Sequence, residues 1–208
     1  MRCFIFVILP FSLIFVSYSN ALNVNCDFKS SSIEIYGPLK TPYQCAARDQ
    51  QVQGFGSVDS VLGTHLAGKT NNDTRLINIK KIKCDRMPKN FNKYFPNLEG
   101  IFAFSTGMKT VKKEDLDVFP KLRYLDMSNN KIDTLASNLF EGNTELEWID
   151  FADNYLRNIG INLLTPLTKL NYADFQSNRC VDKRARDKTT LYELQLELRK
   201  LQCALNDA

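Results

Sequence analysis

A period of 24 residues between Pro96 and Cys180 constrains this 208-residue chain more than any other feature. Three full lines occupy 96–119, 120–143 and 144–167, and a truncated fourth occupies 168–180. Apolar residues fall in fixed columns. One holds Leu98, Leu122, Leu146 and Leu170. The next two hold Ile101, Leu125, Ile149 and Ala173, then Ala103, Met127, Phe151 and Phe175. A polar column follows, with Thr106, Asn130, Asn154 and Asn178, and after it Met108, Ile132, Leu156 and Cys180. Two further columns, Val111/Leu135/Ile159 and Leu116/Phe140/Leu164, complete the line. Seven columns in register across three lines exclude a coincidence of spacing in a generic α/β chain.

The pattern reads LxxLxLxxNxLxxL…F and resembles the leucine-rich repeat family. The LxL segment is a short strand with alternate side chains buried and exposed. The Asn column falls where the chain turns out of the strand, where an amide side chain can bond backbone groups that no strand partner reaches. Each turn exposes an apolar face alone and buries it only by stacking on its neighbours. The expected fold is therefore an α/β repeat: a leucine-rich repeat solenoid with short parallel strands on its concave face, a β-rich N-terminal cap and a helical C-terminal cap.

Residues 1–21 read as a secretory signal peptide, with Arg2, an apolar run from Cys3 to Val16 and a small-x-small cleavage site ending at Ala21. The run is short for a membrane span, and no later segment is long and apolar enough to make one. Without the leader, the 27 basic residues become 26 against 23 acidic, a formal charge of +3. That balance is too mild to imply nucleic acid or a membrane surface, so neither is expected as a partner. His65 is the only histidine, which excludes chemistry needing two. Five cysteines remain after the leader, and an exported chain favours disulfides. Cys26–Cys45 and Cys180–Cys203 are the expected pairs, one at each end, each stabilising by about 3 kcal/mol through loop closure. Cys84 is left over. It falls in the buried column of Met108, as a core thiol, or it forms an intermolecular disulfide that links two chains, or a third intrachain link.

The expected divisions are the signal at 1–21, an N-terminal cap and loop at 22–73, about four repeats at 74–180 and a C-terminal cap at 181–208. In the N-terminal cap, Val24–Phe28 and Ile33–Tyr36 read as strands with a turn at Gly37-Pro38. Further strands are expected around Tyr43 and Cys45 and near Ser57–Leu62. Asn72-Asp73-Thr74 is the one N-glycosylation sequon. Residues 74–95 read as a degenerate first repeat, two residues short, with Leu76 and Ile79 keeping the strand spacing. After Cys180, Lys183, Arg184, Arg186 and Lys188 read as a solvated basic linker. Thr189-Thr190 can then cap a helix whose Leu191, Leu194, Leu198 and Leu201 share one face.

The phrase Tyr94–Gly100, the segment Leu146–Asn154 and the Cys180–Cys203 cap together resemble secreted insect leucine-rich repeat proteins. That resemblance implies extracellular recognition and fixes no ligand. Gly100, Ala103 and Thr106 depart from the later lines and predict a less regular first strand and turn.

The outward strand positions line the concave face, the usual binding surface of such solenoids. Tyr124, Trp148 and Tyr172 form an aromatic ladder there. Phe102, Asp126, Asp150 and Asp174 form the column beside it, with neighbouring strands about 4.8 Å apart. Aromatic rings flanked by carboxylates suit a cationic or peptide partner. Two readings of the aspartates stay open: contact with a ligand, or bonding of local backbone at the strand end. On the binding reading, removing the Tyr124 and Trp148 rings abolishes capture and leaves thermal stability almost unchanged. A flat row of three carboxylates offers calcium too few oxygens, and a shallow face without a pocket argues against a glycosidase pair. No nucleophile motif, metal-ligand spacing or phosphate loop is present, so no enzyme, metal or cofactor is expected. The expected function is a secreted binding protein for an extracellular protein or glycan. The alternative is a structural matrix component that self-associates.

Overall fold

The computed structural model describes residues 22–31, 41–47, 56–80, 83–199 and 204–205. The expected signal peptide, the expected strand at 33–36 with its turn, Leu201 and Cys203 lie outside them.

The columns fold as their spacing requires. Strands β1 (Leu22–Asn25), β2 (Asp27–Ser30), β3 (Tyr43–Ala46) and β4 (Val58–Leu62) precede the repeats. In the repeats come β5 (Leu76–Asn78), β6 (Gly100–Phe102), β7 (Tyr124–Asp126), β8 (Thr134–Leu135), β9 (Trp148–Asp150), β10 (Asn158–Gly160) and β11 (Tyr172–Asp174). Arg184–Ala185 forms β12 and Ala204–Leu205 forms β13. One sheet of eight strands runs β12-β11-β9-β7-β6-β5-β3-β2. Its six central strands are parallel, and β2 and β12 close the two ends antiparallel. The opposite side carries β8, β10 and β13 in a three-stranded parallel sheet. The apolar columns meet between the two walls. Leu98, Leu122 and Leu146 are at most 1% exposed, and Ile101, Leu125 and Ile149 are fully buried.

The Asn column closes each turn. Asn130 Oδ1 accepts from the backbone N–H groups of Thr106, Gly107 and Met108 at 3.0, 2.8 and 3.1 Å. Its Nδ2 donates to the carbonyls of Ala103 and Met127, both at 2.9 Å. Asn154 accepts from Ile132 N–H and donates to Met127 and Phe151 carbonyls; Asn178 accepts from Leu156 N–H and donates to Phe151 and Phe175. Each amide thus joins two successive turns by bonding backbone groups of both. The residue before each member of the column, Ser105, Asn129, Asp153 and Ser177, has φ between 52° and 58°, which is how the chain leaves the strand.

The first repeat is more complete than expected. Leu76 pairs with Gly100 and Ile77 with Ile101, a full 24-residue offset, so the line is not two residues short. Ile77 and Ile79 are the inward pair, Leu76 faces the concave side, and Thr74 takes the place of Leu98. The signal was masked because that Leu column holds a threonine.

At the C-terminal end, the helix α3 (Lys188–Leu198) buries Leu191, Leu194 and Leu198 over the last turn. Its cap is Asp187, whose carboxylate accepts from Thr190 N–H at 2.8 Å; the expected Thr189-Thr190 cap lies two to three residues further on, inside the helix. The basic segment before it is not a free linker. Lys183 pairs with Glu193 and Glu197, and Lys188 donates to the Thr168 and Leu170 carbonyls. Cys26 and Cys45 form the expected disulfide. Cys180 is also disulfide-bonded, and its expected partner Cys203 lies outside the described residues.

Candidate functional site

The concave face is built from three columns at the 24-residue register. The aromatic column occupies the middle. Trp148 stacks on Tyr172 with ring centres 5.1 Å apart and planes 8° from parallel. Phe102 reaches Trp148 across one strand, with centres 6.4 Å apart. Gly100 makes room for Leu76, since a Cβ there would meet Leu76 Cδ1 at 2.4 Å. Leu76, Phe102, Tyr124, Trp148 and Tyr172 thereby form a second hydrophobic cluster, separate from the main core.

This differs from a row of exposed rings. Tyr124 is 1% exposed, Phe102 6%, Trp148 7% and Tyr172 9%. Parallel strands bring the rings so close that each covers its neighbours, so the ladder is a packed floor. The expectation that the Tyr124 and Trp148 rings can be removed at little loss of stability does not stand. The polar tips are distributed unequally. The Tyr124 hydroxyl donates to Glu147 at 3.2 Å, the Tyr172 hydroxyl to Asp174 at 3.1 Å, and the buried Trp148 Nε1–H has no partner among the described residues.

The acidic column answers one of the two open readings. Asp126 Oδ1 accepts from Ser128 N–H, Asp150 Oδ1 from Ala152 N–H and Asp174 Oδ1 from Gln176 N–H, at 2.9, 2.9 and 3.0 Å. Each carboxylate holds the backbone as its strand ends. Only one oxygen of each is used in this way. Asp174 is further paired with Arg184 on the closing strand β12. No basic side chain among the described residues lies within ion-pair distance of Asp126 or Asp150. Burial pushes the Asp126 carboxyl up. Burial, reinforced by the Asp126 and Asp174 charges on either side, pushes Asp150 up to about 7.

The third column escapes a reading that looks only for apolar residues. Arg75, Glu99, Arg123 and Glu147 alternate in sign at 24-residue intervals just before the strands. They form a continuous chain of ion pairs at 3.4, 3.3 and 2.9 Å. Its signal was the same 24-residue spacing, one residue ahead of the aromatic column. Arg184 was missed for another reason: its pairing with Asp174 is made by the antiparallel strand, outside the repeat.

The remaining expected sites are spread elsewhere. Asn72 is exposed on a 3₁₀ turn at Asn71–Asp73, on the opening side of β5. Cys84 is a free thiol, 7% exposed, and burial pushes it up to about 11. A buried, protonated thiol exchanges slowly, which disfavours the intermolecular disulfide. His65 belongs to the N-terminal cap, stacked on Phe28 with ring centres 3.8 Å apart. Cavities of about 470 and 270 Å³ lie beside Cys84 and between the short helices α1 (Phe91–Tyr94) and α2 (Lys113–Leu116), away from the aromatic floor. Among the described residues no group of three or more His, Cys, Asp or Glu converges as metal ligands would. No described helix is long and apolar enough to cross a membrane.

A family model for the leucine-rich repeat matches residues 117–179. No curated protein matches the chain. A chain in the crystal structure of a TLR13–ssRNA13 complex superposes with a TM-score of 0.55 at 15% identity, over 87% of this chain and 22% of that one. A chain in the Toll–Spatzle complex, described as a molecular hub in Drosophila development and innate immunity, superposes with a TM-score of 0.49 at 19% identity, over 59% of this chain and 17% of that one. This chain therefore spans less than a quarter of the length of either. The fold is a leucine-rich repeat solenoid. The exclusion of nucleic acid does not stand: a chain of this fold is crystallised with single-stranded RNA. Net charge was the wrong criterion, because it says nothing of how charge is distributed over the surface.

Proposed function

We propose that this leucine-rich repeat solenoid is an exported, non-enzymatic binding protein whose concave face takes a protein partner through a cationic group. One observation supports the reading above the others. Arg75, Glu99, Arg123, Glu147 and Asp174 on that face are internally paired, whereas Asp126 and Asp150 have no basic partner within ion-pair distance among the described residues and lie beside a packed aromatic floor. A lysine or arginine laid there would give those two carboxylates a direct ion-pair partner. The broad, shallow floor suits a macromolecule better than a small molecule, which prefers an enclosed cavity. Export and the insect-type family are part of this reading. Export rests on the leader-like residues 1–21 and the Cys26–Cys45 disulfide, and the insect-type family on the Tyr94–Gly100 and Leu146–Asn154 segments. The TLR13–ssRNA13 chain is seen with a partner, which supports binding as the role of such a fold.

The test is capture from extracellular fluid by the immobilised chain and by its Asp126→Asn/Asp150→Asn form. Asparagine keeps the Oδ1 acceptor that holds Ser128 and Ala152, so the strand ends stay intact. A basic protein retained by the first and lost from the second supports the reading. A partner held equally by both, or an RNA retained in place of a protein, overturns it.

A further inference from the structure

The position of Leu98, Leu122, Leu146 and Leu170 in the repeat is filled at the first line by Thr74. Thr74 is fully buried, and its hydroxyl has no hydrogen-bond partner among the described residues. A buried hydroxyl without a partner destabilises the fold, and valine of nearly the same shape would avoid it. Packing therefore gives no reason for threonine here. Its chemistry does, two residues earlier. Asn72-Asp73-Thr74 is an N-glycosylation acceptor, which demands a hydroxyl residue at its third place.

We infer that Asn72 carries an N-linked glycan and that Thr74 is retained in the core as the hydroxyl of its acceptor sequence. The folded geometry permits the product. Asn72 is exposed, and the turn that carries it is held by its backbone rather than its side chain. The Asn72 carbonyl accepts from Arg75 Nη1 at 2.8 Å and from Asn97 Nδ2 at 3.0 Å, leaving the side-chain amide for the sugar. The folded geometry also fixes the order of events. Thr74 is sealed beneath the turn, so the hydroxyl serves the transfer before β5 joins the sheet. In the transfer, Asn72 Nδ2 attacks C1 of the reducing sugar of a lipid-diphosphate-linked oligosaccharide. The N–C1 bond forms and the C1–O bond to phosphate breaks. The lipid diphosphate leaves with the electron pair, and one amide proton passes to a base. The glycan then stands at the opening side of β5, towards the N-terminal end of the concave face.

This inference rests on the export reading, and the experiment separates the two. The full chain is translated with secretory membranes as wild type, Asn72→Gln, Thr74→Val and Thr74→Ser. Protection from added protease reports translocation, and an endoglycosidase-sensitive increase in mass reports the glycan. The expected result is one such increment in wild type and Thr74→Ser, and none in Asn72→Gln or Thr74→Val. The second readout is stability of the two unglycosylated forms after purification. Thr74→Val should melt above Asn72→Gln by about 2–8 °C, because it removes the unpartnered hydroxyl. A protected wild type without the increment overturns the modification while leaving export intact. An unprotected wild type overturns export and the modification with it. A Thr74→Val form no more stable than Asn72→Gln shows that the hydroxyl serves the fold, and removes the reason to assign it to the sequon.

Discussion

Replacing Trp148 by alanine separates a packed concave floor from a row of idle rings. Trp148 is 7% exposed, stacks on Tyr172 and touches Phe102. Truncating a buried aromatic ring to alanine typically costs about 3–5 kcal/mol. The indole Nε1–H is buried without a partner among the described residues, a penalty of about 1–3 kcal/mol that alanine removes. Taking the midpoints, the net expectation for Trp148→Ala is a loss of about 2 kcal/mol, or roughly 4–8 °C in Tm. Trp148→Phe supplies the internal control. It forgoes about 1 kcal/mol of apolar burial and relieves the same unpartnered donor, so it should lie within about 1 kcal/mol of wild type. Urea unfolding followed by far-ultraviolet circular dichroism measures both, since neither variant retains the single tryptophan. A Trp148→Ala form melting within about 2 °C of wild type would refute the second core. A Trp148→Phe form as weak as Trp148→Ala would show that the indole N–H is satisfied.

Asn154→Ala should be among the most disruptive single changes, losing about 3 kcal/mol or more, because it orphans the Ile132 N–H and the Met127 and Phe151 carbonyls together; thermal melts check it. Asp150 makes stability depend on pH. Its folded value of about 7 lies above the ordinary 3.8, so the folded state keeps a proton that the unfolded chain has released, and stability falls as pH rises between those values. Asp150→Asn should match wild type below pH 4 and exceed it above pH 7 by of order 1–3 kcal/mol, read from denaturation at several pH values. Cys26→Ser/Cys45→Ser opens a loop with a sequence separation of 19 residues and should lose about 3 kcal/mol, measured in the same way.

The repeat was legible because each column combines a residue type with a position that only one geometry satisfies. Asn130, Asn154 and Asn178 announce the turn, and the flanking apolar columns announce the core. Legibility failed where the evidence was not periodic. Thr74 hid the register of the first line by breaking the Leu column. Period tells which face Tyr124 and Trp148 occupy, but their burial depends on Phe102 leaning across a strand and Leu76 filling the space over Gly100. Arg184 looked like part of a basic linker because nothing local reveals that β12 turns back against β11 to meet Asp174. Asp187 and Thr189 are both good helix caps by type, and only the chain path chose between them.

Trp148 is the chain's only tryptophan and lies in the middle of the proposed binding face, so its emission reports on that face alone. The most direct test is a fluorescence titration of the intact protein with a lysine- and arginine-rich peptide at pH 6 and pH 8. The account predicts a saturable change in Trp148 emission, with tighter binding at pH 8 as Asp150 ionises, and no pH dependence in Asp150→Asn. Binding detected by calorimetry with unchanged emission at both pH values would place the partner elsewhere and contradict the concave-face account.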